Sequence, residues 1–186
     1  MTGSPGTSPA TSPGTAPGTP SGLAIRRATT ADWPRIWPIW HDVVRTGDTY
    51  CYDPDTDSDT ARVMWIERSG VLCWLAEVAD RVVGVYEISP NHDGPGAHVA
   101  NGSYMVDAAV RGRGVGRALV EHSLQAARAA GFLAIQFNAV AETNVGAISL
   151  YTDLGFTTVG IVPGAFRHPV EGLVDLRIMH HDLRVR

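Results

Sequence analysis

A mixed α/β fold is predicted for this sequence, with a mostly antiparallel sheet flanked by helices. Three observations carry that expectation. β-rich runs and helical periodicities interleave in the order βααβββαβαββ. The runs Val71–Val78 and Arg81–Ile88, joined at Ala79-Asp80, read as an antiparallel hairpin. Gly131 and Gly155 each stop a helical pattern just before a strand, as left-handed terminators do.

The elements follow in chain order. Residues 1–22 repeat [Ser/Ala]-Pro-Gly-Thr, have almost nothing to bury, and are expected to form a flexible tail. The folded domain is expected over residues 23–186, opening with a strand near Leu23–Arg27. Thr30 is the candidate cap of a helix in which Trp33, Ile36, Trp37, Trp40, Val43 and Val44 recur at helical spacing. Pro34 is tolerated in its first turn and Pro38 is expected to kink it. A polar loop, Gly47–Asp59, leads to a second helix over Thr60–Arg68. After the hairpin come a loop, Pro90–Gly96, and a strand, Val99–Val106. Helix Val115–Ala130, a buried strand Ala134–Val140 and helix Asn144–Leu154 follow. Strands Thr157–Val162 and Leu173–His180 close the chain, with Phe166-Arg167-His168 in a solvated loop between them.

Composition excludes several functions. A net charge of -4 lacks the basic footprint that nucleic acid demands, so no nucleic-acid partner is expected. All 15 basic residues are arginines, which rules out a Schiff-base lysine and a phosphate-binding P-loop lysine. Two cysteines make neither a disulfide framework nor a zinc signature, and no metal is expected. No apolar run reaches the roughly 20 residues that cross a bilayer, so no membrane partner and a cytoplasmic location are expected.

The chemistry starts at Arg111-Gly112-Arg113-Gly114-Val115-Gly116, between a strand and a helix. Glycines let backbone amides approach a ligand, and the new helix adds its own unpaired N–H groups, so this is an anion site. Arg111, Arg113 and Arg117 add positive charge. The spacing G-x-G-x-G is neither the dinucleotide fingerprint nor a P-loop. The segment matches [Arg/Gln]-x-x-Gly-x-[Gly/Ala] and follows Tyr104-Met105-Val106-Asp107. The later Asn144, Ala147, Leu150-Tyr151 and Gly155-Phe156 complete a second motif. Together these resemble the GCN5-related N-acetyltransferase superfamily over residues 23–183.

That resemblance implies acetyl-CoA as co-substrate and a small-molecule amine as acceptor, with a homodimer possible because family members often dimerise. Amides from Gly112 to Arg117, Val115 and Gly116 included, would hold the pyrophosphate. Backbone groups of Met105 and Val106 would pair with the pantetheine arm, and Asn144 and Ala147 would lie against it. Tyr151 would protonate the departing thiolate. Many family members carry a base glutamate on the central strand; here Asn101 stands there, leaving ordered water, Glu87, His98 and Glu142 as candidates.

Asn101 and Asn138, with the segments around them, resemble the fungal proline-analogue acetyltransferases, in which asparagines at both positions contact substrate. Two amides can bind a carboxylate through N–H and accept an amine proton through C=O. Tyr50 and Tyr52, before the second helix, are placed to line the acceptor pocket, and Arg167 to meet a substrate carboxylate. The expected function is acetylation of a small amino acid or toxic imino-acid analogue. Phosphinothricin-like, general amino-acid or protein N-acetylation, or acyl-CoA sensing without catalysis, are the alternatives.

Overall fold

The computed structural model describes residues 20–184. The expected tail therefore lies almost wholly outside the described residues. Seven strands form one sheet: β1 (Ala24–Arg27), β2 (Leu72–Val78), β3 (Arg81–Pro90), β4 (Val99–Val106), β5 (Ala134–Ala141), β6 (Thr157–His168) and β7 (Gly172–Asp182), ordered β1-β2-β3-β4-β5-β7-β6. Every neighbouring pair is antiparallel except β4 and β5. Four helices, α1 (Trp33–Val44), α2 (Ser58–Arg62), α3 (Val115–Ala129) and α4 (Val145–Asp153), complete the expected order.

The two faces of the sheet bury different helices. The aromatic stripe of α1 buries Trp33, Ile36 and Trp40 against Cys73, Leu75, Val85 and Met105, with Trp65 beside them. On the other face α3 packs Val115, Leu119 and Val120 against Tyr86, Ile88 and Ile135. Strand alternation decides the sides: Val85 and Met105 face α1, while Tyr86 and Tyr104 face α3.

Local details correct the expected boundaries. The cap falls on Thr29, whose N–H donates to Asp32 Oδ2 at 2.9 Å and starts a 3-10 turn before α1. Pro38 does not interrupt the helix, which runs on to Val44. Helix α2 starts at Ser58, capped by Asp57 Oδ1 accepting from Thr60 N–H, and widens into a π-helical turn at Val63–Glu67. Ala79 and Asp80 both have positive φ, the primed turn that matches strand twist. Strand β6 runs to His168, so Phe166-Arg167-His168 is paired strand, with Arg167 opposite Leu173, and not loop. Phe166 is buried against Ala141 and Leu176, while Arg167 is exposed.

Candidate active site

β4 and β5 pair only at Val99–Ala134 and Ala100–Ile135. Beyond that point they part, and a bulge between Phe137 and Val140 bends β5 further. A cleft of about 580 Å³ opens between them, reaching from Arg111 and Gly112 to Asn101 and Asn138.

The backbone of β4 shows which groups face this gap. His98 C=O accepts from Leu133 on the β5 side, whereas Val99 C=O accepts from Asn91 and Asp107 N–H donates to Val83 C=O on the β3 side. Odd-numbered residues therefore serve β3, and the peptide groups of Gly102, Tyr104 and Val106 point into the gap. Of the two residues expected to pair with a pantetheine arm, Val106 faces the gap. Met105 also lines the cleft, but its peptide belongs to the β3 ladder and its side chain is buried under α1. Period-two alternation turns the Tyr104 peptide into the gap, a residue that sequence reading missed.

Tyr104's peptide is already engaged. Tyr50 Oη donates to Tyr104 C=O at 2.6 Å and accepts from its N–H at 3.0 Å. Tyr50 stacks on Tyr52 at 5.5 Å, and Tyr52 on Trp40 at 5.6 Å. Both tyrosines line the cleft.

At the glycine-rich end, Gly112 and Gly114 have φ of 74° and 78°. Arg111 and Arg113 N–H close the turn on Ala108 and Val110 carbonyls at 3.4 and 3.3 Å. The amides of Gly112, Gly114 and the first turn of α3, from Val115 to Arg117, find no acceptor among the described residues. A Cβ on Gly112 would meet nothing within 4 Å, so the space above the turn is open. Arg111 lines the cleft; Arg113 does not, and Arg117 pairs with Asp153 at 3.0 Å.

The opposite wall comes from α4. Asn144 Oδ1 caps the helix by accepting from Ala147 N–H at 3.3 Å, which leaves its NH2 for the cleft that both residues line. Tyr151 also lines it, held by Phe137 at 4.6 Å and Phe156 at 5.8 Å between ring centroids. Gly155, with φ of 88°, ends α4 so that Phe156 can turn into the core. Tyr151 Oη has no hydrogen-bond partner among the described residues, and burial raises the phenol above its ordinary pKa.

Asn101 and Asn138 meet at the far end. Gln136 Nε2 donates to Asn138 Oδ1 at 2.9 Å, and Asn138 Nδ2 donates to Asn91 Oδ1 at 2.6 Å. Asn91 and Gln136 belong to no sequence motif; Gln136 precedes Asn138 on β5, and the fold brings Asn91 to it from 47 residues away. Asp48, held by Thr46 Oγ1 at 2.6 Å, lines the same cleft. Three expected residues are elsewhere engaged or remote: Arg167 lies on the exposed hairpin, His98 meets Pro95 C=O, and Glu142 is gripped by both Arg177 Nε and Nη2. The guanidinium holds the Glu142 carboxyl below its usual pKa. No group of three or more potential metal ligands occurs among the described residues.

Comparison with known proteins gives the arrangement its relatives. The model of the acetyltransferase (GNAT) family matches residues 33–156. A GCN5-related N-acetyltransferase structure from Kribbella flavida is 48% identical, with a TM-score of 0.84 over 88% of this chain and 99% of that one. The structure of yncA from Salmonella typhimurium, solved with its cofactor acetyl-CoA, is 26% identical, with a TM-score of 0.78 over 88% and 95% of the two chains. N-acetyltransferase aca1 from Schizosaccharomyces pombe is 37% identical over 101 residues, 54% of this chain and 48% of that protein. The chain spans about half or less of the length of the curated relatives it matches.

Proposed function

Because the chain belongs to the acetyltransferase (GNAT) family, we propose that it moves the acetyl group of acetyl-CoA to the amine of a small amino acid or a toxic imino-acid analogue, proline analogues foremost. The unpaired amides of Gly112, Gly114 and the first turn of α3 suit a pyrophosphate. The peptides of Tyr104 and Val106 suit an extended amide-bearing arm laid along β4 as an added strand. Acetyl-CoA supplies an activated thioester; the protein orients it and manages protons.

The acceptor class rests on one observation: Asn138, held by Gln136 and Asn91, lines the same cleft as Asn101. With its oxygen taken by Gln136, Asn138 presents N–H, the donor a carboxylate needs. Asn101 has no side-chain hydrogen-bond partner among the described residues, and its C=O is free to accept a hydrogen bond from the amine N–H. The Asp48 carboxylate adds attraction for a cationic amine. Positioning of this kind contributes to rate by holding the nitrogen near the thioester carbon.

Asn101→Ala and Asn138→Ala are each expected to raise KM for the acceptor by about 10-fold, with KM for acetyl-CoA unchanged. Steady-state kinetics check this; unaltered acceptor KM in both variants would overturn the assignment. Thiol release measured with azetidine-2-carboxylate, hydroxyprolines, phosphinothricin, methionine sulfoximine, common amino acids and a peptide tests the class. Fastest release with cyclic imino acids supports it, and release with the peptide alone shifts the acceptor to protein.

Tyr50 competes for the same peptide that the arm of acetyl-CoA would use. Tyr50→Phe is therefore expected to tighten acetyl-CoA binding by about 3- to 10-fold, one hydrogen bond's worth, as read by calorimetry.

A further inference from the structure

The parting strands leave the transfer without an obvious base, because the amide of Asn101 cannot take a proton. One carboxylate beside the cleft is otherwise unexplained. Glu87, on β3, is only 3% exposed, and its Oε2 is buried with no hydrogen-bond partner among the described residues. A buried carboxylate with an orphaned oxygen is costly, and such groups concentrate where chemistry uses them. The β3–β4 register puts Glu87 directly opposite Ser103, and Ser89 opposite Asn101, so all four side chains share the α1 face of the sheet. Ser103 and Asn101 line the cleft, and Glu87 lies one side chain behind them.

We propose that Glu87 is the terminal proton acceptor of the acetyl transfer, reached from the acceptor amine through the Ser103 hydroxyl. As the amine nitrogen forms its bond to the acyl carbon, the C–S bond breaks and the thiolate takes the Tyr151 proton. The amine proton passes to Ser103 Oγ while Ser103 gives its own to Glu87. Ser103 ends unchanged, Glu87 ends neutral and later releases its proton to solvent, and the Tyr151 phenolate takes one back from solvent, so both groups are reset. The other carboxylates near the cleft are less suited. Glu142 is neutralised by Arg177, and Asp48 sits at the mouth, bonded to Thr46.

The surroundings of Glu87 set its basicity. Cys73 from β2, Ser89 on β3, Ser103 from β4, Tyr52 from the loop before α2 and Arg68 after the π-helical turn all face it or act on it. Arg68 Nη2 donates to Ser89 Oγ at 3.1 Å. Burial dominates and pushes the carboxyl up to about 7; the Ser103 hydroxyl and the Arg68 charge pull the other way. A base of that strength is matched to work near neutrality, where an exposed carboxylate would be too weak. It must be ionised to accept, so activity should rise with pH through about 7.

The inference rests on acetyl transfer to an amine and not on which amine, so its test uses whichever acceptor the wild type turns over fastest. Glu87→Gln keeps the shape and removes the base. It is expected to lower kcat by about 100-fold and abolish the rise through neutral pH, with acetyl-CoA affinity unchanged. The melting temperature at pH 8 should not fall, because a buried charge has been removed. Ser103→Ala should also lower kcat while keeping acetyl-CoA affinity. A Glu87→Gln enzyme with wild-type kcat and pH profile would overturn the proposal. A Ser103→Ala enzyme with wild-type kcat would overturn the relay. Should Glu87→Gln lose acetyl-CoA binding, the pH profile of Ser103→Ala decides alone.

Discussion

Replacing Tyr151 with phenylalanine is expected to lower kcat by about 100-fold or more while leaving acetyl-CoA affinity within about twofold. The phenol projects into the cleft with no partner among the described residues, so its loss breaks no structural hydrogen bond. Its ring, packed on Phe137 and Phe156, is kept by phenylalanine. Burial holds the phenol protonated across the physiological range, which is the state a proton donor needs at the start of each turnover. A free thiol with an ordinary pKa of about 8.5 is mostly protonated at neutral pH, so the departing sulfur must gain a proton as it leaves. Single-turnover kinetics with the variant, alongside calorimetry of acetyl-CoA, separate chemistry from binding. Undiminished turnover would remove Tyr151 from the reaction.

Trp40→Ala is expected to destabilise the domain by roughly 3–5 kcal/mol, lowering the melting temperature by about 6–20 °C. Trp40 is fully buried beneath β2, β3 and β4 and stacks on Trp37 at 5.5 Å. It also carries Tyr52, and through Tyr52 the Tyr50 ring that reaches Tyr104. The loss should therefore show twice: in thermal unfolding, and in an acceptor KM that rises even where the variant remains folded. A variant with unchanged melting temperature would contradict the packing of α1 against the sheet.

The order of elements was legible because each carries its own period and punctuation. Gly131 and Gly155 mark helix ends, Ala79-Asp80 a tight hairpin, and the tryptophans of α1 one buried face. The glycine-rich turn and the Asn144–Tyr151 helix were equally legible, since both are local in sequence. What sequence reading missed depends on distant strands. Nothing local shows that Tyr104 and not Met105 faces the gap; that follows from the phase of the β3–β4 ladder. Asn91 reaches Asn138 from 47 residues away, a contact that only the fold creates, whereas Gln136 precedes Asn138 by two residues on β5. Arg167 was expected in a solvated loop, yet the pairing with β7 resumes after a register shift and carries it onto the hairpin, opposite Leu173. Glu142 seemed free until the fold brought Arg177 onto it from β7.

The parting of β4 from β5 has a consequence for the protein when it holds no co-substrate. An unpaired strand edge is a template on which segments of other chains can add, and many β proteins aggregate through one. Here the edge is sunk inside a cleft, and the Tyr50 hydroxyl satisfies its middle peptide. That single side chain serves as a guard on an otherwise adhesive ribbon. Between turnovers the molecule need not rely on its co-substrate to stay monodisperse, and Tyr50→Phe, while binding acetyl-CoA more tightly, should clump sooner on prolonged incubation without it.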